Sequence, residues 1–303
     1  MTAEPIVVAD RPESDDNLVI PFQIEGQSVR GRAVRLGTVA DQVLAAHDYP
    51  EPIARLLGEA LALTAMLGSV LKVDGKLTLQ AKAGGPLGLL VADYASPGDV
   101  RGFAQFDAGG VAHLPEDATV ADLLGKGYLA MTLDQASAKE SYQGIVDLKG
   151  ETLAECAKAY FADSEQTPSE LALAAERDPV SGYWRVGGIM VQHLGRGEEG
   201  GPRILDPDQS EAWNRAAVLM SSVKTDELTD PLLPLTDLLL RLYHEDGVRV
   251  FRPISIRRGC RCSEERMEQV IRSFSKEDLA DMADDGRVTI TCEFCNRDHV
   301  VEI

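Results

Sequence analysis

The sequence is short of positive charge. Its 30 Lys and Arg stand against 49 Asp and Glu, for a formal net charge of −19. A chain this acidic repels nucleic acid and anionic lipid surfaces, so it lacks the electrostatic footprint of a DNA- or RNA-binding protein. The one basic spot, RPISIRRGCRC, is small. Long apolar runs are also missing. The most apolar segment, LALTAMLGSVL, is about half the length of a membrane span and stops against Lys72. The opening residues, MTAEPIVVADRPESDD, carry neither the basic n-region nor the apolar h-region of a secretory signal, so a cytoplasmic location is expected. Aromatic residues make up 5% of the chain, and there are only five cysteines in 303 residues. In a reducing cytoplasm those five are not a standing disulfide framework, which leaves metal binding, redox sensing or both.

The chain is long enough for a sizeable core and for two domains. Residues 1–16 read as a loose acidic arm. LVIPFQIEGQSVRGRAVRL alternates in two runs around Glu-Gly-Gln-Ser, the pattern of a β-hairpin. Thr38 and Asp41 in TVAD have capping-box spacing. In YPEPIARLLGEALALTAMLGSVLKVDG, Pro52 opens a helix, Ile53, Leu56, Leu57, Ala60 and Leu61 follow helical spacing, and VDG ends it. This helix is apolar on most sides and belongs in a core.

Strands are expected at KLTLQAKA, LGLLVADY, VRGFAQF, GYLAMTLD and SYQGIVDL, with AGGPLG as a hairpin turn and a short helix at ATVADLLG. ETLAECAKAYFADSEQ is helical, with a Thr152–Glu155 cap and Leu153, Cys156, Tyr160 and Phe161 on one face. ELALAAE and GYWRVGG form a further hairpin. The fold class is α+β, an antiparallel sheet with packed helices over residues 1–194.

A Gly/Pro/acid-rich stretch, GRGEEGGPRILDPDQS, then marks a boundary. Two helical patterns follow, EAWNRAAVLMSSVK and LTDLLLRLYHEDG, separated by the proline-broken DELTDPLLP. Their apolar residues, including Trp213, Leu219, Met220, Leu238, Leu239, Leu240, Leu242 and Tyr243, cannot be buried within helices this short. Residues 195–250 therefore read as an all-α linker whose stability is borrowed from a neighbour. Residues 251–303 carry two capped helices, at Ser263 and at Ser275, and a closing pair of strands at GRVTITCEFC and DHVVEI. Met267, Val270, Ile271 and Phe274 share one face of the first helix. Some fifty residues are too few for a self-sufficient core.

Four of the five cysteines lie in this segment, Cys260 and Cys262 as C-x-C and Cys292 and Cys295 as C-x-x-C. A small domain in a reducing compartment needs a staple, and four thiolates suit tetrahedral zinc. A permanent zinc ribbon and a thiolate–metal switch both satisfy this pattern. Close pairs give each oxidised sulfur a resolving partner, and loss of the metal would remove about 10–16 kcal/mol of binding energy that is also folding energy. Cys156 reads as core filler. His47, His113, His193 and His244 are scattered, and only His299 stands near enough to be a substitute ligand. No nucleophile–base–orienter set stands out, so the chain is expected not to be an enzyme. Three readings are weighed: a thiolate–metal switch, a constitutive zinc-ribbon adaptor, and a thiol–disulfide oxidoreductase built on CEFC.

The motifs DYPEPIARLLGEALALTAMLGSVLKVDGKLTLQAKAGGPLGLLVADY, DVRGFAQF, YFADSEQTPSEL, GYWRVGGIMVQHL, CRCSEERM and DGRVTITCEFCN run nearly end to end. With them the chain resembles the redox-regulated 33-kDa chaperonin family (heat-shock protein 33). The resemblance implies a cytoplasmic, ATP-independent holdase, inactive while reduced and carrying one zinc per chain on Cys260, Cys262, Cys292 and Cys295. It implies that oxidants join Cys260 to Cys262 and Cys292 to Cys295 and that zinc is expelled. The linker and C-terminal domain then unfold, and the protein, commonly as a homodimer, captures unfolding clients. Two positions depart from the family pattern: His299, where an aromatic residue is frequent, and Gln105, where an arginine is frequent.

Overall fold

One helix organises the body of the molecule. α2 (Glu51–Gly68) starts after Pro50 and buries nearly all round, with Ile53, Leu57, Leu61, Leu63 and Met66 fully enclosed. A helix apolar on every side must be covered on every side. Two antiparallel β-sheets do this. The computed structural model describes residues 16–71, 74–115, 117–135, 141–193, 207–284 and 286–302.

The first sheet contains β1 (Leu18–Ile24), β2 (Val29–Leu36), β8 (Ser169–Arg177) and β9 (Trp184–His193), with β10 (Val248–Val250) and β11 (Ile254–Ser255) along its β1 edge. The second runs β12 (Arg257–Arg258), β5 (Asp99–Phe106), β4 (Leu87–Ala95), β3 (Gly75–Ala83), β6 (Gly127–Gln135) and β7 (Tyr142–Asp147). Smaller helices fill the margins: α1 (Thr38–Leu44), α3 (Ala108–Val111), α4 (Val120–Leu124) and α5 (Leu153–Asp163). Cys156 is buried on α5, and burial pushes its thiol pKa up, as befits a core residue.

The period-2 geometry of the first sheet explains a second core. Val19, Val34, Leu36, Val186 and Met190 face α2. Their neighbours Leu18, Ile20, Phe22, Ile24, Ala33, Ile189 and Val191 point the other way. There they meet Ala216, Met220, Leu228, Leu235, Leu238, Leu239 and Tyr243. These residues come from α6 (Pro207–Ser221), α7 (Thr225–Thr229) and α8 (Leu235–Tyr243). The short helices thus bury most of their apolar stripes on a neighbour, although Leu240 stays exposed. Among the described residues no helix is long and apolar enough to cross a membrane.

Two arginines fix these helices to the sheet. Arg35, on β2, is fully buried and donates to the carbonyls of Glu227 (3.0 Å), Leu228 (3.0 Å) and Leu233 (2.6 Å). Arg185, on β9, donates to Thr229 O at 2.7 Å and pairs with Asp16 at 2.5 Å. Between them Gly187 leaves room for the Leu228 carbonyl, which any Cβ would strike.

The C-terminal segment holds α9 (Glu264–Ile271), α10 (Lys276–Met282) and the hairpin β13 (Arg287–Thr291) with β14 (Asp298–Glu302). Ser263 and Ser275 cap the two helices as expected.

The structure corrects several expectations. The single sheet is two. Thr38 and Asp41 form no capping box: Asn17 Oδ1 accepts from Gly37 N and Val39 N, while Asp41 accepts from Trp184 N. A distant side chain has taken over the local role. Thr152 does cap Glu155 N, but Glu155 reaches back to Glu151 N instead of Thr152 N. α2 stops at Gly68, ahead of VDG, part of which lies outside the described residues. DELTDPLLP, read as a break, contains most of α7. Val270 and Phe274 are exposed, and only Ile271 of that helix face is buried. The N-terminal arm before Asp16 and the stretch 194–206 lie outside the described residues.

Arg35→Met should keep the aliphatic stem and leave three carbonyls without their donor. A stability loss of about 2–3 kcal/mol in urea unfolding is expected, with faster hydrogen exchange concentrated in α7 and at Leu233. Unchanged exchange there would show that the guanidinium does not hold this segment.

Candidate metal centre

Both cysteine pairs are aimed by backbone features. The chain leaves β12, Gly259 N donates to Val100 O at 2.8 Å, and extended residues then carry Cys260 and Cys262. After Ser263 the helices α9 and α10 turn the chain back. β13 delivers Cys292 into a tight turn in which Asn296 N donates to Cys292 O (2.8 Å) and Cys292 N to Arg297 O (2.9 Å). Asn296 adopts φ +54°, a left-handed conformation that asparagine tolerates well.

The four sulfurs converge from opposite ends of a 29-residue insert. Cys260 Sγ lies 3.4 Å from Cys262 Sγ and 3.6 Å from Cys292 Sγ, and Cys262 Sγ lies 3.4 Å from Cys295 Sγ. All four fall within 4.8 Å of one another. They are free thiols and half-buried. A metal–sulfur bond of about 2.3 Å places tetrahedral sulfurs about 3.8 Å apart, so the set fits one metal ion. Burial pushes the Cys260 thiol up, yet hydrogen bonds from the Cys262 N–H and the neighbouring thiols outweigh this and bring it down to about 7. Burial, together with the adjacent sulfurs, holds Cys262 and Cys295 above the usual thiol range. One thiolate therefore forms readily, and the full set of anions needs a cation among them.

His299 does not join the group. It is buried on β14 opposite Ile290, and its Nε2 meets no hydrogen-bond partner. His47 lies against Tyr49, His193 against Trp213, and His244 on Arg241 O. Cys292 and Cys295 sit in a β-turn. An oxidoreductase thiol pair wants a helix N-terminus, so that reading loses its structural basis. Gln105 is exposed on β5.

One part of the site was missed from sequence. Phe294, between Cys292 and Cys295, packs edge-on against Phe103 of β5 at 4.8 Å, and the Arg101 guanidinium lies 3.8 Å over its ring. Arg101 is held in turn by Asp93, which accepts from its Nε at 2.9 Å and its Nη2 at 2.7 Å, while Thr78 donates to the other carboxylate oxygen. The cysteine turn is thus docked on the second sheet through a cation–π contact. The clue available in sequence was an aromatic residue inside an otherwise polar turn.

An α+β body with a four-thiol centre on a small C-terminal appendage defines the class, and the relatives define the family. The Hsp33 protein family model matches residues 17–302. The chain is similar to the 33 kDa chaperonin of Caulobacter vibrioides, with 44% identity over 93% of both chains. It is also similar to that of Shewanella loihica, with 36% identity over 91% of this chain and 89% of the relative. The fold matches the solved 33 kDa chaperonin of Thermotoga maritima with a TM-score of 0.78 over 94% of this chain and 95% of that one, at 24% identity. The chain belongs to the Hsp33 family.

Metal-free reduced protein is expected to bind one Co(II) with the absorption bands of tetrahedral thiolate coordination. Because bound thiols must lose their protons, affinity should fall at least about tenfold per pH unit below neutrality. Cys292→Ser should weaken the thiolate bands and the affinity together. A pH-independent affinity would point to non-thiolate ligands.

Proposed function

We propose that the protein is a redox-regulated, ATP-independent holdase of the cytoplasm, without enzymatic activity, that binds unfolding or oxidatively damaged proteins. In this reading Cys260, Cys262, Cys292 and Cys295 hold one zinc per reduced chain. The observation that carries it is the placement of four convergent thiols in the segment with the smallest core. Apart from Ile256, which enters the core of the body, only Ile271, Val288 and His299 are buried among its described residues. Four thiolates from both ends of such a segment make its folding conditional on the metal.

Bound there, the metal would neutralise the thiolates and crosslink the two ends. The residues supply the switch. Two thiols pass two electrons and two protons to one peroxide, which leaves one disulfide and two waters, so two peroxides consume all four ligands. The sulfur distances alone do not select a pairing, since Cys262 lies as close to Cys295 as to Cys260. The neighbour pairing is the one that the family resemblance implies, and it suits a switch. A cross pair would lock the ends together as the metal does, whereas Cys260–Cys262 and Cys292–Cys295 free them.

Residues 251–303 then form the switch domain, residues 195–250 the linker that it keeps folded, and residues 1–194 the lasting body. Release of α6–α8 would uncover Leu18, Ile20, Phe22, Ile24, Ile189 and Val191, an apolar sheet face suited to unfolded chains. The oxidised form is proposed to pair as a homodimer, as the family resemblance implies.

Titrating reduced protein with peroxide should release about one zinc per chain, lower helical circular dichroism and, in the same samples, suppress light scattering by a thermally unfolding test enzyme. Disulfide mapping should recover the two neighbour pairs. Equal protection by reduced, metal-loaded protein would overturn the switch. Retention of the metal under peroxide would favour a constitutive adaptor.

A further inference from the structure

Apart from the short β10, β11 and β12, β1 and β5 would be end strands of the two sheets, and both are covered from one short stretch of chain. β10 and β11 lie antiparallel to β1, with Phe22 opposite Val250 and Leu18 opposite Ser255. β12 lies parallel to β5 at Asp99 and Val100. These pieces are only two or three residues long. Their backbone bonds go to the body: Phe251 N to Pro21 O at 2.8 Å, Ile256 N to Asn17 O at 2.7 Å, and Arg257 N to Gly98 O at 2.9 Å. Ile256 inserts into the main core, and Arg257 pairs with Asp99.

β1 is built as an edge. Its Pro21 has no N–H to donate, and its carbonyl faces the side where β10 and β11 lie. Proline is tolerated in a strand where that side is not a continuous ladder. Only Gly259 separates the stretch from Cys260, so whatever frees the cysteine group frees one anchor of residues 248–258. Undocking of Phe294 would in turn uncover Arg101 and Phe103, further along β5.

We propose that residues 248–258 occupy a strand-addition site, and that after their release β1 and β5 accept an extended segment of an unfolding protein as an added strand. This rests on the switch reading above. The occupant follows from what the edges already hold: an extended segment with an apolar side chain entering the core beside a cation that meets Asp99. The acidic body, −17 over residues 1–250, favours cationic flanks. Backbone pairing is indifferent to most of the sequence added, which a binder of many unrelated chains requires.

The probe is the fluorescein-labelled peptide VRVFRPISIRR, residues 248–258 of this chain. Full-length protein, oxidised with peroxide, is first checked by hydrogen exchange for loss of protection at 248–258. The peptide should then bind at least tenfold tighter to oxidised than to reduced, metal-loaded protein. It should slow exchange in β1 and in the Asp99–Gly102 end of β5, and it should compete with a thermally unfolding enzyme. N-methylation at the positions of Phe251, Ile256 and Arg257 should abolish binding. If 248–258 stay protected after zinc is lost, the switch reading of this segment fails, and the proposal with it. If they are released and the peptide neither binds nor protects β1 and β5, strand addition alone is wrong. Equal binding by the N-methylated peptide would also overturn it, in favour of apolar adsorption.

Discussion

The structure depends on four sulfurs brought within reach of one cation from opposite ends of a 29-residue insert. Among the described residues of the C-terminal segment, buried apolar contacts are few. Its two helices present one buried apolar residue between them among the described side chains, Ile271, and its hairpin adds Val288. A buried Ile or Val contributes about 1.5–3 kcal/mol, against about 10–16 kcal/mol for a structural zinc on thiolates. The burial of two such residues cannot replace the metal. With a metal held there as proposed, the segment's order is tied to the protonation and oxidation state of its cysteines.

That dependence spreads because the segment is attached to the body at successive points rather than through a flexible tether. The cysteine turn docks through Phe294 on Arg101 and Phe103, the chain ahead of Cys260 pairs with both sheets, and α8 lies just before that pairing. Each attachment is small. Two- and three-residue strands and a cation–π pair are each worth about 1 kcal/mol, so their persistence requires both ends of the stretch to be held. Arg35 and Arg185 act differently. Three carbonyls on one desolvated guanidinium form a strong local anchor for α7, beside the apolar packing of α6 and α8 on the same sheet.

Much of this was legible before the structure. Alternating runs gave the hairpins β1–β2, β3–β4 and β8–β9, and the dense apolar run gave the central helix α2. Ser263 and Ser275 announced α9 and α10, and the crowding of four cysteines into one end pointed to the centre itself. What escaped shares one property, long range. Arg35 in VRGRAVRL looks like a solvent-facing residue of an alternating strand, and its acceptors lie 192 to 198 residues away. Asn17 caps α1 from 20 residues upstream, in place of the expected local pair. β10 to β12 carry no periodicity because two or three residues cannot express one. The two-sheet arrangement was hidden for a related reason: a sheet covered on both faces shows apolar residues at nearly every position, and its partner sheet leaves no mark in local pattern.

The division of the core explains how one end of the chain can be conditional while the rest is not. α2, with the inner faces of both sheets, forms the larger cluster, and none of its members comes from α6, α7 or α8. The second cluster is shared, with β1, β2, β8 and β9 on one side and the three helices on the other. Withdrawing the helices removes one wall of the second cluster and leaves the first enclosed. Of the connecting stretch, Ile254 packs half-buried against the larger core and only Ile256 is buried within it. Its withdrawal creates a local defect of one side chain, on the order of 2–5 kcal/mol, which a body with this much buried surface tolerates. In the proposed switch, loss of the thiolate centre would therefore yield a folded scaffold bearing an uncovered apolar face, the physical requirement for holding other chains without being one of the unfolded.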